Sequence, residues 1–237
     1  MRKLDGVVDK IAEIYRRSGK EAEEYLRKAR KLKERLGPSF AIVYCWFYSV
    51  PQKWIQVEPK IFELDKRTKS FEIDKILSMS SGDMAEILRP MIFRNEISHQ
   101  LKNFCEAVKN EYGSWEEFAK TLESESIFKL FCELRKHRNI RITFKNLAAM
   151  KIFVGMNDDL IILDTHVANV LGISKNERSK CIIQKASFQR LLEFSRKITD
   201  KLRLRKEVMD DISMVKWSLS IWFSQTKISA DKLIKGC

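Results

Sequence analysis

Two residues between positions 138 and 172 could together carry out chemistry: Lys145 and Asp164. A lysine whose amine loses its proton is a nucleophile that forms Schiff bases, and burial or a nearby cation favours that loss. A carboxylate stabilises positive charge that develops in a transition state. Taken alone, Asp164 also fits a helix N-cap, and Lys145 is one lysine among many. Lys151, the lysine closer to Asp164 in sequence, is expected to face solvent.

Helices must position these two residues, because helical spacing of apolar residues dominates the chain. Positions 97, 101, 104, 108 and 112 predict a helix that ends at Gly113, and Ser114 with Glu117 predicts a capping box for the next helix. Further helices are predicted at 127–134, at 147–155 ending in Gly155, at 165–171 closed by Gly172, at 188–202 and at 208–222. With roughly ten helices and no clear strand, we predict an all-α protein.

The N-terminal third is harder to interpret. A first amphipathic helix is predicted to break at Ser18-Gly19, and a charged second one to stop at Gly37-Pro38. The apolar run 40–50 fits either a strand or a buried helix, and the pattern between 59 and 82 indicates only a loop and a short helix.

Composition bounds the fold and favours one kind of partner. The 237 residues form one domain or two small ones, and 44% hydrophobic residues are enough for a buried core. Eight glycines and four prolines are too few for a turn-dense β fold. Because 45 basic residues face 32 acidic ones, the net charge of +13 favours a polyanion, with nucleic acid the first candidate and an acidic membrane the second.

The pattern of ligand-type residues predicts neither a metal nor a cofactor. The five cysteines contain no C-x-x-C pair, and His99, His137 and His166 are scattered. No apolar run reaches the length of a transmembrane helix, and the N-terminus has no apolar signal core. We therefore expect a cytoplasmic, nucleoid-associated protein without a membrane partner.

Residues 160–167, Leu-Ile-Ile-Leu-Asp-Thr-His-Val, resemble the Asp-x-His-Val segment of helix-hairpin-helix DNA glycosylases. In bifunctional members a lysine opens the second hairpin helix eighteen or nineteen residues before the aspartate, and Lys145 precedes Asp164 by 19 residues. The small 8-oxoguanine glycosylase/AP lyase group of archaea and some bacteria is most similar, and the segment from Met214 to Phe223 looks like its C-terminal helix. The family hairpin usually contains glycines, whereas residues 141–145 contain none, so a degenerate hairpin is expected.

The resemblance implies two helical lobes with a cleft between them: residues 45–156 would form the internal lobe, and 1–44 with 157–237 the terminal lobe. It implies a monomeric bifunctional glycosylase and AP lyase that removes 8-oxoguanine from double-stranded DNA. Lys145 would be the Schiff-base nucleophile and Asp164 the stabilising carboxylate. The other candidates for contacts with DNA or the base, each of which also fits an ordinary core or surface role, are Gln52, Arg138, Arg141, Phe144, His166, Trp217 and Trp222.

Three alternatives stay open at this point. Within the same class, the lesion could be uracil, a mismatched thymine or an alkylated base. A non-catalytic helical DNA-binding protein would keep the charge without needing Lys145 and Asp164 at this spacing. An α/β enzyme with residues 160–164 as a strand end is disfavoured, because the sequence has no Gly-rich phosphate loop.

Overall fold

The computed structural model describes residues 4–50, 53–137, 139–155, 157, 159–205 and 212–233. Within these ranges the chain forms α-helices and two short 3-10 helices and contains no β-strand, so the prediction of an all-α protein is confirmed. The α-helices are α1 (Leu4–Trp46), α2 (Trp54–Arg67), α3 (Ile73–Ser78), α4 (Ser81–Ile87), α5 (Arg94–Tyr112), α6 (Trp115–Ser124), α7 (Ile127–Leu134), α8 (Phe144–Gly155), α9 (Thr165–Leu171), α10 (Lys175–Ile183), α11 (Lys185–Arg203) and α12 (Met214–Thr226). The 3-10 helices are Phe47–Ser49 and Ala230–Lys232.

Helix α1 corrects one prediction and confirms another. The predicted break at Ser18-Gly19 is wrong, since α1 continues through both residues. The reason is a buried stripe that passes through position 18 with helical spacing, at residues 11, 15, 18, 22, 25 and 29. Packing along such a stripe outweighs the low helix propensity of serine and glycine. The helix is interrupted instead at Gly37, whose φ of 81° favours glycine, directly before Pro38.

The described residues of the chain separate into two compact units. The terminal unit comprises Met1–Ala29 with Met156–Cys237, and the internal unit comprises Arg30–Gly155, so the boundary falls within α1. In the terminal unit, α9 and α11 pack on α12, and α10 packs on α11. In the internal unit, α8 packs against α6, α7 and the 3-10 turn Phe47–Ser49.

Helix α8 is the most buried element around the candidate site. Every residue from Asn146 to Val154 is buried, and the segment contains small residues at Ala148 and Ala149. The predicted end of this helix at Gly155 is confirmed, as is the end of α5 before Gly113, whose φ is 80°. The apolar run that begins at Phe40 is helical up to Trp46, which settles its ambiguity in favour of a buried helix.

No helix within the described ranges is both long and apolar enough to cross a membrane.

Candidate active site

A pair of polar side chains, Thr143 and Asn146, builds the start of α8. The Thr143 amide donates to Asn146 Oδ1 at 3.2 Å, and the Asn146 amide donates to Thr143 Oγ1 at 3.3 Å. The Thr143 hydroxyl also donates to Asn146 Oδ1 at 2.5 Å. This is the reciprocal pattern of a capping box, with asparagine in place of glutamate. It fixes the first turn of α8 and therefore the position of Lys145, its second residue.

Lys145 is half-buried, and it lies against the 3-10 turn Phe47–Ser49 that follows α1. Its Nζ donates to the Tyr48 carbonyl oxygen at 2.7 Å, and the neighbouring Asn146 Nδ2 donates to the Trp46 carbonyl oxygen at 2.8 Å. Carbonyls at the end of a helical segment lack an intrahelical partner and carry partial negative charge, so both contacts are favourable. The Tyr48 carbonyl therefore orients Nζ of Lys145.

Aromatic rings surround the residue that holds the Lys145 amine. The Tyr48 ring lies 4.7 Å from the Trp54 ring and 5.8 Å from the Phe153 ring, measured between centroids. Tyr44 contacts both Tyr48 and Trp54 edge-to-face, and its hydroxyl donates to buried Glu58. This cluster packs around Tyr48, whose carbonyl accepts the hydrogen bond from Lys145.

The hairpin itself consists of α7 and α8, joined by residues 135–143. Phe144 is fully buried between them, stacked on Phe131 with centroids 4.0 Å apart and in contact with Phe128 at 5.5 Å. This places Phe144 in the hairpin core, where it holds the two helices together. Its contact with a base stays a prediction that our proposal does not use.

The loop of the hairpin is tied to α5. Arg141 is exposed and forms an ion pair with Glu96, and its backbone N–H donates to Gln100 Oε1 at 3.0 Å. Asn103 Nδ2 donates to the Asn139 carbonyl oxygen at 3.0 Å. Two other predicted DNA contacts, Gln52 and Arg138, lie outside the described residues.

Sequence reasoning missed an exposed apolar pair at the start of α5. Ile92 and Phe93 are 60% and 62% exposed, and Phe93 has a φ of 61°, a left-handed conformation that is uncommon for a bulky residue. Phe93 lies one helical turn before Glu96, the residue that pairs with Arg141 of the hairpin loop. In the sequence Phe93 lies four residues before Ile97, in register with the buried stripe of α5, so the apolar pattern gives no signal of its exposure.

Asp164 lies in the terminal unit, at the N-terminus of α9. Its Oδ1 accepts a hydrogen bond from the Val167 amide at 2.7 Å, so it is the N-cap that its position predicts. The side chain is half-buried, and its second oxygen forms no hydrogen bond within the described ranges. His166, the second residue of α9, is also half-buried, and Thr165 accepts a hydrogen bond from Arg178 of α10.

The two predicted tryptophans differ in environment. Trp217 is fully buried in the terminal unit, where its indole N–H donates to Thr199 Oγ1 at 2.9 Å. Trp222 is half-buried and contacts Phe223 edge-to-face at 5.0 Å. Trp217 thus has the environment of a core residue, whereas Trp222 keeps part of its ring accessible. Contacts of either ring with a base stay predictions.

The expectation that Lys151 faces solvent is wrong. Its exposed fraction is 7%, and its Nζ donates to the carbonyl oxygens of Leu122 and Glu125, the latter at 2.6 Å. These carbonyls lie at the C-terminal end of α6. A lysine there donates hydrogen bonds to acceptors that lack an intrahelical partner, and its charge interacts favourably with the negative end of the helix dipole. Burial lowers the pKa of Lys151, and the carboxylates of Glu125 and Glu123 oppose that shift. The residue therefore holds α6 against α8.

We expect Lys151→Ala to lower the free energy of unfolding by about 2 kcal/mol, since it removes charge-assisted hydrogen bonds and leaves two carbonyls unpaired. Urea denaturation followed by circular dichroism measures this. Lys120→Ala, at an exposed lysine paired with Glu117 on α6, is the matched control and should change stability by less than about 0.5 kcal/mol. Equal stability of the two variants would contradict the role assigned to Lys151.

The described part of the chain contains no cluster of three histidine, cysteine or acidic side chains arranged to hold a metal ion.

No protein-family model matches this chain, and no curated protein matches it. Among solved structures, the fold is similar to that of the 8-oxoguanine DNA glycosylase of Methanocaldococcus jannaschii. The two chains are 15% identical, the TM-score is 0.59, and the match covers 94% of each chain. At this identity the likeness shows the fold alone.

Proposed function

We propose that this protein is a bifunctional DNA glycosylase and AP lyase that removes an oxidised purine, 8-oxoguanine, from double-stranded DNA. The observation that carries the proposal is the placement of Lys145. Lys145 lies in the first turn of α8, the second helix of a helical hairpin, where it is half-buried. Its amine is oriented by the Tyr48 carbonyl, and the fold of the chain is similar to that of a glycosylase. The Asp-x-His-Val segment supplies a carboxylate, Asp164, fixed by its own helix.

In the proposed reaction, the neutral Lys145 amine attacks C1′ of the damaged nucleotide. The C1′–N bond breaks, its electron pair leaves with the base, and the base takes up a proton. Positive charge develops on the sugar during this step, and the Asp164 carboxylate stabilises it. Opening of the sugar ring gives a Schiff base between Lys145 and C1′. Loss of a proton from C2′ then breaks the C3′–O bond, and water releases the lysine.

The exposed Ile92-Phe93 pair has a role in this proposal, because a base must leave the stack before its C1′ can be attacked. Apolar side chains that enter a duplex between base steps compensate for lost stacking. Phe93 is held exposed in a left-handed conformation, and the α5 segment that follows it contacts the hairpin loop through Glu96 and Gln100. A strained, exposed aromatic residue at such a place is more typical of a binding site than of a core.

We expect Phe93→Ala to slow release of the damaged base by about tenfold, because one base–aromatic stacking contact contributes on the order of 1–3 kcal/mol. Single-turnover base release from a lesion-containing duplex measures this rate. Ile55→Ala, at an apolar residue of α2 that is 47% exposed, is the matched control and should leave the rate unchanged. Equal rates for the two variants would remove Phe93 from the proposed mechanism.

Borohydride trapping on a panel of duplexes tests the function. Borohydride reduces a Schiff base to a stable amine, so an enzyme of this kind becomes covalently linked to its DNA. We expect a linked product and strand cleavage with 8-oxoguanine. Trapping only with uracil, a mismatched thymine or an alkylated base would replace 8-oxoguanine as the proposed substrate and leave the proposed Schiff-base reaction in place. DNA binding with no trapped product on any lesion would instead identify a non-catalytic DNA-binding protein.

A further inference from the structure

One side of α5 lies along the hairpin loop, residues 135–143. Residues three or four positions apart face the same side of a helix. The residues on this side of α5 are separated by four, three, four and four positions, and we call them the α5 row: Glu96, Gln100, Asn103, Ala107 and Glu111. The α5 row and the hairpin both belong to the internal unit.

The first contacts of the α5 row hold the end of the hairpin loop. Gln100 Oε1 accepts a hydrogen bond from the Arg141 N–H at 3.0 Å, and Glu96 forms an ion pair with the Arg141 guanidinium. About one turn further along α5, Asn103 Nδ2 donates to the Asn139 carbonyl oxygen at 3.0 Å. The contacts advance along α5 while they go back along the loop, so the two segments run antiparallel.

The last residues of the α5 row hold the start of the loop in the same order. His137 Nε2 lies 2.9 Å from Glu111 Oε1, at hydrogen-bond distance. Next to Glu111, the Tyr112 hydroxyl donates to Glu133 of α7 at 3.2 Å. Burial and the Glu133 carboxylate raise the pKa of Tyr112, so its hydroxyl stays protonated and remains a donor. The side chains of α5 therefore hold the hairpin loop at both ends.

The hairpin loop depends on these partners because its own sequence does not determine its conformation. Residues 135–143 contain neither glycine nor proline. Among the loop residues that the structure describes, 135–137 and 139–143, none has a positive φ. Residues with special backbone angles usually fix a tight turn, and a loop without them has more conformations to choose from. The contacts with the α5 row therefore select one conformation of the loop.

The selected conformation presents an exposed cation close in sequence to the proposed nucleophile. The loop leads directly into α8, and Lys145 is the second residue of that helix. When Lys145 attacks C1′, the phosphates on either side of that nucleotide must pass close to the segment that precedes α8. The side chain of Arg141 in this segment is 74% exposed. Its guanidinium has five N–H donors, so the ion pair with Glu96 leaves donors for a phosphate.

We infer that Gln100 and Asn103 are positioning residues for DNA binding. By holding the backbone at residues 139–141, they place the Arg141 guanidinium where it binds a phosphate of the DNA backbone. This inference rests on the proposed function, which makes DNA the partner. Phosphate contacts orient a duplex on a protein without reading its sequence, so the two residues act on affinity and orientation.

The reacting amine is held by a different set of contacts. Lys145 is fixed through the Thr143–Asn146 pair at the start of α8 and through the Tyr48 carbonyl. Loss of the α5 contacts should therefore weaken DNA binding and leave the rate of base release at saturating DNA nearly unchanged.

The salt dependence of binding to an undamaged duplex tests this inference separately from catalysis. Each phosphate contact adds about 0.9 to the magnitude of the slope of log K against log salt concentration, so Arg141→Gln should lower that magnitude by about 0.9. Gln100→Ala/Asn103→Ala removes no charge, and a merely structural effect would leave the slope unchanged. We expect this double variant to lower the magnitude by about 0.5 or more. Fluorescence anisotropy over a series of salt concentrations measures the slopes.

A combined variant tests whether the two residues act through Arg141. Once the guanidinium is absent, its position no longer matters, so Gln100→Ala/Asn103→Ala/Arg141→Gln should have the same slope as Arg141→Gln alone. Ser81→Ala is the matched control, because it removes the uncharged contact of 3.3 Å between the Ser81 hydroxyl and Nδ1 of His99, the α5 residue before Gln100. The control should leave the slope unchanged.

A single substitution protects the test against misfolding. Asn103→Ala removes only one hydrogen bond from the hairpin loop and should lower the magnitude of the slope in the same direction. Circular dichroism verifies that each variant is folded.

The outcomes separate this inference from the proposed function. Slopes of the α5 variants equal to that of Ser81→Ala would overturn the inference, and the proposed function would still stand if borohydride trapping succeeded. A combined variant whose slope falls by the sum of the separate changes would overturn the inference as well, because Gln100 and Asn103 would then act independently of Arg141. The expected slopes, combined with failure of trapping on every lesion, would support the positioning role and reject the enzyme.

Discussion

Lys145→Ala is expected to abolish borohydride trapping on the lesion that the wild-type protein cleaves, while binding of the same duplex survives. The amine is the only atom of Lys145 that can form a Schiff base, so its removal eliminates the covalent product and does not merely slow it. Gel electrophoresis of the reduced reaction detects the linked species, and anisotropy measures binding.

The structural role of Lys145 requires its own control, because Nζ also donates to the Tyr48 carbonyl. Lys145→Gln keeps most of the length of the side chain and an N–H donor for that carbonyl, but not the nucleophile. If Lys145 only satisfies the carbonyl, Lys145→Gln should behave like the wild-type protein. If it is the nucleophile, both variants lose trapping equally and only Lys145→Ala loses stability. Lys151→Ala is unsuitable as a negative control because Lys151 is buried, so Lys120→Gln takes that place.

Asp164→Asn is expected to reduce the rate of base release by a factor on the order of 10² or more, because the charge that stabilises the transition state is lost. The variant should fold normally, since asparagine caps helices about as well as aspartate and can accept the Val167 hydrogen bond. Single-turnover kinetics measures the rate, and thermal unfolding measures the stability.

Two further substitutions separate the charge of Asp164 from its capping role. Asp164→Ser keeps a capping oxygen without the charge, so it should be stable and slow. Asp164→Ala loses both, so it should be slow and about 1 kcal/mol less stable. A wild-type rate in Asp164→Asn, with loss of stability only in Asp164→Ala, would show that Asp164 is a helix cap and nothing more.

Local sequence signals determined where helices end and which residue caps α9, because these features depend on neighbouring residues. Gly113 and Gly172 end their helices with φ of 80° and 70°, and Gly37 interrupts α1 with φ of 81°, because other residues rarely adopt such angles. Asp164 caps α9 because a carboxylate before an apolar helix can accept a free amide hydrogen. The sequence pattern predicted α8 only from Leu147, and the start of the helix at Phe144, which makes Lys145 its second residue, depends on the Thr143–Asn146 capping pair.

Tertiary structure decided the features that depend on which groups meet. Ser18-Gly19 stays helical because it lies on a buried stripe of α1, and burial of that stripe is not reported by local propensity. Lys151 is buried because the end of α6 brings two carbonyls to it, and Lys145 is oriented because Tyr48, 97 residues earlier, lies beside it in a 3-10 turn. The exposure of Phe93 likewise depends on where α5 lies against the hairpin loop. Contacts between residues distant in sequence require the whole unit to fold, so the sequence pattern identifies the chemical groups and only the packed structure determines their partners.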